Sequence, residues 1–203
     1  MNPQRIGVLI SGRGSNLQAL IDAQAAGRLG GEIAVVFSNV ESAAGLDRAR
    51  RAGIPTAFRD HRGRNRQDYD RELEAILRHH GVSLVCLAGF MRLLSPAFVQ
   101  AFAGRILNVH PSLLPAFPGL EAQRQALEHG VKVSGATIHI VDETLDQGPI
   151  VLQEAVVVKD DDTPESLAAR IREAEHRIYP RAVRMLLEVP VRIAGRRVMI
   201  EGT

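Results

Sequence analysis

Arg5-Ile6-Gly7-Val8-Leu9-Ile10 runs directly into Ser11-Gly12-Arg13-Gly14-Ser15-Asn16-Leu17-Gln18, and this junction sets the architecture expected of the chain. An apolar run of strand length enters a glycine-rich turn and then a segment of helical spacing, which is how a βα unit opens. The alternation continues: strands read near 5–10, 33–38, 55–58, 83–88 and 105–109, with helices near 16–27, 43–52 and 67–80. Strands separated by helices pair in parallel. The pattern then changes. A loop rich in proline (Pro111, Pro115, Pro118) and a short helix near 121–129 precede two long strands, 134–141 and 150–158, parted only by Glu143 to Gly148. So brief a connection makes those two strands antiparallel neighbours. Thr163 and Pro164 supply a cap and a first helical residue, and Leu167, Ile171, Ala174 and Ile178 follow at helical spacing until Pro180, which is expected to kink or divide the helix. The expectation is one α/β domain over residues 1–203. Its sheet is open, mostly parallel and Rossmann-like, with an antiparallel C-terminal strand and helices on both faces. Residues 1–105 form a doubly wound half, and 106–203 complete the domain.

At 203 residues the chain can bury about 70% of its unfolded surface, enough to fold without a disulfide or metal staple. A single cysteine, Cys86, cannot make an internal bridge, so a reducing, cytoplasmic setting is expected. The longest apolar run, Val82 to Met91, falls short of the roughly 18 residues of a membrane span, and Ile6 to Ile10 is too short for a signal-peptide core. No membrane role is expected. The basic side chains are almost all arginine, with Lys132 and Lys159 the only lysines, and the pI is near 9.1. Yet Arg59, Arg62, Arg64 and Arg66 are interrupted by Asp60 and followed by Asp68 and Asp70, and few aromatics are available for base stacking, so no nucleic-acid partner is expected.

Ser15-x-x-Gln18 matches a capping box, and a glycine turn at a helix start aims free N–H groups at one point, which suits a phosphate. The same residues also read as an ordinary tight βα turn. Leu17 stands where a dinucleotide fingerprint needs its third small residue, and Asn39 stands where a ribose-binding acid would end strand two, so one phosphate fits better than a dinucleotide. Asn108-Val109-His110-Pro111 leaves strand five at its carboxyl end, with Asn108 and His110 on one face. An amide and an imidazole side by side can polarise a carbonyl and steady an oxyanion, although a lone histidine also caps loops. Asp146 lies between the two long strands, and a carboxylate beside His110 would raise its pKa and orient it. Sequence spacing does not bring the two together. The seven histidines show no metal-ligand spacing, no serine sits in a nucleophile elbow and Cys86 lies inside an apolar strand, so neither a metal nor a covalent intermediate is expected.

Four stretches together resemble the folate-dependent formyltransferases: Val8 to Gln18, Leu87-Ala88-Gly89-Phe90-Met91-Arg92-Leu93-Leu94-Ser95, Asn108-Val109-His110-Pro111-Ser112-Leu113-Leu114-Pro115, and Asp146-Gln147-Gly148-Pro149-Ile150. The likeness spans nearly the whole chain, and Gly-Arg-Gly-Ser-Asn, Ala-Gly-Phe-Met-Arg and Glu175-His176-Arg177-Ile178-Tyr179-Pro180 point to its purine-biosynthetic branch. It implies a cytoplasmic transferase, monomer or homodimer, that moves a formyl group from 10-formyltetrahydrofolate to the amine of 5'-phosphoribosylglycinamide. It also implies that Asn108, His110 and Asp146 are the catalytic trio, and that Gly14, Ser15 and Asn16 hold the substrate phosphate while Glu175 holds its amine. Folate contacts are implied at Arg66, Met91, Arg92, Leu93 and Leu94, at Asn108, and in the 141–146 loop with Val141 and Asp146. From spacing alone, residues 91–94 read as strand-end packing and Glu175 as a surface residue paired with Arg172. Glu121 and Gln123 stand where relatives often carry histidines, so no role for those histidines is carried over. Three alternatives stay open: a formyl-folate hydrolase using the same trio, a transferase acting on methionyl-tRNA with an added domain, and a non-catalytic phosphoribosyl-ligand sensor using the glycine turn alone.

Overall fold

The computed structural model describes residues 4–200. Five strands, β1 (Arg5–Ile10), β2 (Glu32–Ser38), β3 (Thr56–Phe58), β4 (Leu84–Leu87) and β5 (Ile106–His110), pair in parallel in the order β3-β2-β1-β4-β5. Two antiparallel pairings extend the sheet through β6 (Val133–Ile140) and β7 (Ile150–Val157). Beyond them lies a hairpin of β8 (Val191–Ala194) and β9 (Arg197–Ile200), with β9 against β7, making nine strands among the described residues. Six helices join them: α1 (Ser15–Ala25), α2 (Ala44–Arg51), α3 (Arg66–His79), α4 (Pro96–Ala101), α5 (Ala122–Glu128) and α6 (Pro164–Glu188). None is long and apolar enough to cross a membrane.

Side-chain alternation along the strands feeds two cores. Ile6, Val8 and Ile10 of β1 and Leu84 and Cys86 of β4 face α1, α2 and α6, and pack with Leu17, Leu46, Ile171 and Ile178. Leu9, Val85 and Leu87 point the other way, onto Tyr69, Leu73 and Leu77 of α3 and Phe98 of α4. A parallel sheet covered on both faces requires such continuous apolar strands. β1 is where the winding direction changes, since it pairs with β2 on one side and β4 on the other. Beyond the carboxyl ends of these strands lies the crevice in which open α/β sheets bind ligands.

Two expectations about the helices are corrected. α6 runs unbroken through Pro180, because Leu167, Ile171, Ala174, Ile178, Ala182 and Val183 are all buried along one face. Burying a large aliphatic side chain contributes about 1.5–3 kcal/mol, so the set outweighs the roughly 3 kcal/mol that an interior proline costs. α1, in turn, has no capping box: its N-cap is Gly14, and no side chain caps it. α4 and the β8–β9 hairpin are additions to the expected elements.

Tyr179 ties α6 to the sheet beneath the candidate site. Its buried hydroxyl donates to the carbonyls of Leu87 at 3.0 Å and Leu107 at 3.2 Å, one on β4 and one on β5. Burial pushes the Tyr179 hydroxyl well above its usual range, so it remains a donor. Tyr179→Phe should cost about 1–3 kcal/mol, the range for a lost buried hydrogen bond, and lower Tm by about 2–4 °C per kcal/mol. Thermal unfolding followed by circular dichroism checks this, and an unchanged Tm would deny the anchor.

Candidate active site

The turn after β1 is shaped by glycine. Gly14 holds φ at 72°, in the left-handed region, and a Cβ there would lie 2.7 Å from the Cα of Gly45. A side chain is therefore excluded twice, by conformation and by contact. Among the described residues, the N–H groups of Ser15, Asn16 and Leu17 donate to no protein acceptor, as expected for a first helical turn without a cap. The loop is braced from outside: Gly45 N–H donates to Gly12 O at 3.0 Å and Arg48 Nε donates to Arg13 O at 2.9 Å. Ser11 Oγ donates to Asn39 Oδ1 at 2.6 Å and accepts from the Met91 N–H at 2.8 Å. Asn39 thus braces the turn.

Asn16 and Glu175, distant in sequence, meet. Asn16 Nδ2 donates to Glu175 Oε2 at 2.8 Å, and Asn16 Oδ1 is buried with no partner. Glu175 is only 9% exposed, so the surface reading of this residue is corrected: the α6 face that carries Ala174 and Ile178 also turns Glu175 inward, and no ion pair joins it to Arg172 among the described residues. Desolvation raises its carboxyl pKa above the usual carboxylate value, with the Asn16 hydrogen bond and the Arg172 charge opposing.

A second cluster gathers on β5 and β6 and on the loop that follows β6. Asn108 lies directly opposite His139, and His110 opposite Thr137. Asp146 Oδ2 is 3.4 Å from His110 Nδ1, accepts from the Gly119 N–H at 2.8 Å, and Asp146 Oδ1 is 3.7 Å from His139 Nε2. The loop folds back because Gly148 packs on the Ile140 carbonyl, where a Cβ would stand at 1.8 Å. Asn108, His110 and Asp146, which sequence spacing could not join, are therefore neighbours.

Hydrogen-bond chemistry assigns the imidazole protons. His139 Nδ1 is 3.1 Å from Ile140 O, which can only accept, so Nδ1 carries the hydrogen. Burial lowers the His139 pKa, so the ring is neutral and its Nε2 accepts from Asn108 Nδ2 at 3.1 Å. This fixes which way the Asn108 amide faces and leaves its second Nδ2 hydrogen unused by His139. His110 Nε2 is 2.8 Å from Phe117 O, so it too carries a hydrogen, while Nδ1 faces the carboxylate. Both nitrogens of His110 thus face acceptors. Sequence reasoning missed His139. Period-two alternation along residues 133–140 puts it on the Thr137 face, but the strand register that sets it against Asn108 is visible only in the fold.

The other expected contacts are spread along the rim. Met91 is 70% and Leu93 56% exposed, so the packing reading fails for these two, whereas Leu94 and Val141 pack on one apolar cluster. Arg92 stacks over the Tyr69 ring at 4.4 Å, with its Nε buried and unpartnered. Arg66, the first residue of α3, is exposed and makes no polar side-chain contact with the others among the described residues. Glu121, at φ 57°, caps α5 and lies 3.6 Å from Arg124. No group of three or more His, Cys, Asp or Glu suited to a metal occurs among the described residues.

A doubly wound sheet with a phosphate-type turn at β1 and an Asn–His–Asp cluster on β5 matches one class: the chain belongs to the formyl transferase family, whose sequence profile matches residues 4–183. It is 50% identical to the phosphoribosylglycinamide formyltransferase of Escherichia coli strain K12 over 179 residues, covering 85% of this chain and 82% of that protein. It is 49% identical over 190 residues to the trifunctional purine biosynthetic protein adenosine-3 of Homo sapiens, covering 93% of this chain and 19% of the human one. The chain spans about a fifth of the length of such relatives. Glycinamide ribonucleotide transformylase 1 from Symbiobacterium toebii superposes with a TM-score of 0.95 at 55% identity, covering 98% of this chain and 94% of that one.

Glu175 provides a test of the buried contact. Its folded pKa is raised above the unfolded value of 4.5, so the stability it contributes is complete below pH 4.5 and is lost as pH climbs through the folded value. Glu175→Gln, which cannot ionise, should therefore raise Tm relative to the parent at pH 7 and not at pH 4. Calorimetric unfolding at the two pH values reads the difference, and equal effects at both would show that the carboxylate is not desolvated.

Proposed function

We propose that the chain transfers the formyl group of 10-formyltetrahydrofolate to the primary amine of 5'-phosphoribosylglycinamide, as the names of relatives that it covers over most of their length suggest. The observation that carries the reading is the meeting of Asn108, His110 and Asp146 on β5 and the loop beside it. In this reading Gly14, Ser15 and Asn16 bind the phosphate through the unpaired first-turn N–H groups and the positive end of the helix dipole. Asn16 passes the chain of contacts to Glu175, whose carboxylate receives the substrate's ammonium end. Leu9, Leu87, Asn108 and His139 lie in one row across the sheet, so the reacting centre is about 10 Å, two strand spacings, from β1. A phosphorylated ribose with a short amine arm spans that gap.

The ammonium first releases one proton to water, and the free amine nitrogen then attacks the formyl carbon, giving a tetrahedral centre whose oxygen bears the negative charge. Asn108 offers that oxygen its free Nδ2 hydrogen. His110 Nε2–H is held by the Phe117 carbonyl, which occupies the place of the formyl oxygen until the donor binds and takes over that hydrogen bond. Asp146 orients the His110 ring from the other side. Collapse breaks the bond from the formyl carbon to N10 of the folate, and the proton lost by the amine passes to N10. Tetrahydrofolate and the formylated amide leave. The exposed Met91 and Leu93, together with Arg66, Arg92, Leu94 and Val141, form the donor's side of the cleft in this proposal. It also assigns phosphate binding to the doubly wound half, residues 1–105, and catalysis and folate binding to 106–203, in a cytoplasmic monomer or homodimer.

Folate-product absorbance with and without the ribonucleotide tests the reading. Turnover should require the amine; amine-independent turnover would transfer the protein to the hydrolases, and ribonucleotide binding without turnover would make it a sensor. Asp146→Asn should lower kcat by about 10²–10⁴, the range for positioned acid–base assistance, while both KM values change little. His139→Leu removes the partner that orients Asn108 and should lower kcat by roughly 5- to 150-fold, equivalent to about 1–3 kcal/mol. The parent's rate should also fall in acid as His139 is protonated below pH 6.5, since an Nε2 hydrogen would repel the Asn108 amide. That limb should vanish in the leucine variant, and a pH–rate profile decides it.

A further inference from the structure

Between α1 and α6 lies an open groove of about 760 Å³ that the chemistry above leaves unused. It reaches Ser15, the first residue of the helix behind the glycine turn, and its walls carry Arg28, Arg48, Arg177, Arg181 and Arg184 against Asp22 and Glu154. Arg177 is engaged by Glu154 and Arg184 by Glu188. Arg48 uses Nε and Nη1 on Arg13 O and Gln18 Oε1, which holds the guanidinium beside the turn with Nη2 free of any side-chain ion pair. Arg28 and Arg181 are exposed and form no ion pair among the described residues. His176 adds no charge, because burial lowers its pKa; its Nε2 is buried without a partner.

We propose that this groove is a capture site for the phosphomonoester of the ribonucleotide, a weaker anion site that holds the phosphate and delivers it to the turn. The inference rests on the phosphate reading of Gly14 to Asn16. Planar guanidinium forks match phosphate oxygens, and a concave wall of net positive charge raises the local concentration of an anionic substrate. α1, with 11 residues, sets the length of the track at about 16 Å, about two Debye lengths at physiological salt. The walls hold no Phe, Tyr or Trp on which a base could stack, which favours a small phosphate over a nucleic acid.

The test reverses the two unpaired charges. Arg28→Glu with Arg181→Glu should lower kcat/KM for the ribonucleotide about tenfold at 0.01 M salt, where the Debye length is about 30 Å, and the deficit should close near 1 M, where it is about 3 Å. Arg71→Glu with Arg196→Glu, which changes the net charge equally on α3 and the β8–β9 turn, should leave kcat/KM nearly unchanged. If the groove variant behaves like this control, the proposal is wrong. Asn16→Asp separates the two readings, because Asn16 belongs to the turn and not to the groove's walls, and a carboxylate there opposes a bound phosphate. It should raise the ribonucleotide KM at every salt concentration; an unaltered KM would remove the phosphate-turn reading. In that protein, ³¹P line broadening of inorganic phosphate should persist and disappear on adding the two arginine reversals. Broadening insensitive to those reversals would overturn the groove alone.

Discussion

Asn108 on β5 faces His139 on β6, and everything at the reacting centre depends on that antiparallel register. Side chains alternate with a period of two, so a slip of one residue would turn His139 to the opposite face and leave the Asn108 amide free to rotate. The register is held from several directions. Thr137 Oγ1 accepts from the Leu114 N–H at 3.0 Å and donates to Ser112 O at 2.7 Å, while Gln153 of β7 donates to both Thr137 Oγ1 and Leu114 O. These bonds join β6, β7 and the proline-rich loop behind His110. Below them, Tyr179 bridges the carbonyls of β4 and β5. The strand carrying the cluster is therefore fixed along both its length and its flank.

The loops over the cluster have a different character. Phe117, Glu121 and Asp146 all have positive φ without being glycine, at 53°, 57° and 53°. Such conformations cost about 1–3 kcal/mol each and persist only where surrounding contacts hold them. Here the contacts are the polar ones of the site: Phe117 O takes the His110 hydrogen, and Asp146 takes the Gly119 N–H. Exchange of the Phe117 carbonyl for a substrate oxygen would relieve a strained residue, so opening this loop is less costly than its buried hydrogen bonds suggest.

Much of this was legible in the sequence because the strongest signals are local. The apolar runs that became β1 to β7 were bounded to within two residues, since glycine, proline and charge mark their ends. α4 escaped because six residues give fewer than two turns and no measurable period, although Ser95-Pro96 is a sound helix start whose Ser95 Oγ does accept from the Phe98 N–H. The β8–β9 strands are four residues each and mostly solvent-facing, so they have no apolar alternation to read; only Gly195 marked their turn. Ser15 resembled a cap in sequence because a capping box and a glycine-capped start share the same residues, and the backbone angle of Gly14 decides between them. Asn108, His110 and Asp146 were individually visible. Their meeting, and the part played by His139, needed the doubling back of residues 141–149, which is a tertiary fact.

The two ends of the site answer different electrostatic demands. In the proposed function a double negative charge would be bound and released at the β1 turn, which suits unpaired N–H groups and arginines that remain in contact with water. At β5 the charge exists only during reaction, so its stabilisers belong in a dry setting where His110 is 4% exposed and a donor counts for most. The raised carboxyl of Glu175, hydrogen-bonded to Asn16, marks the energetic cost of its burial. A buried carboxylate with one amide donor is poorly compensated, and a cation arriving beside it improves its situation more than that of a solvated one. The same burial that weakens the protein would thereby strengthen its hold on the positively charged amine of the proposed substrate. Under the proposed function, stability and substrate affinity would pull in opposite directions at this residue, as expected of a binding group and not of a core one.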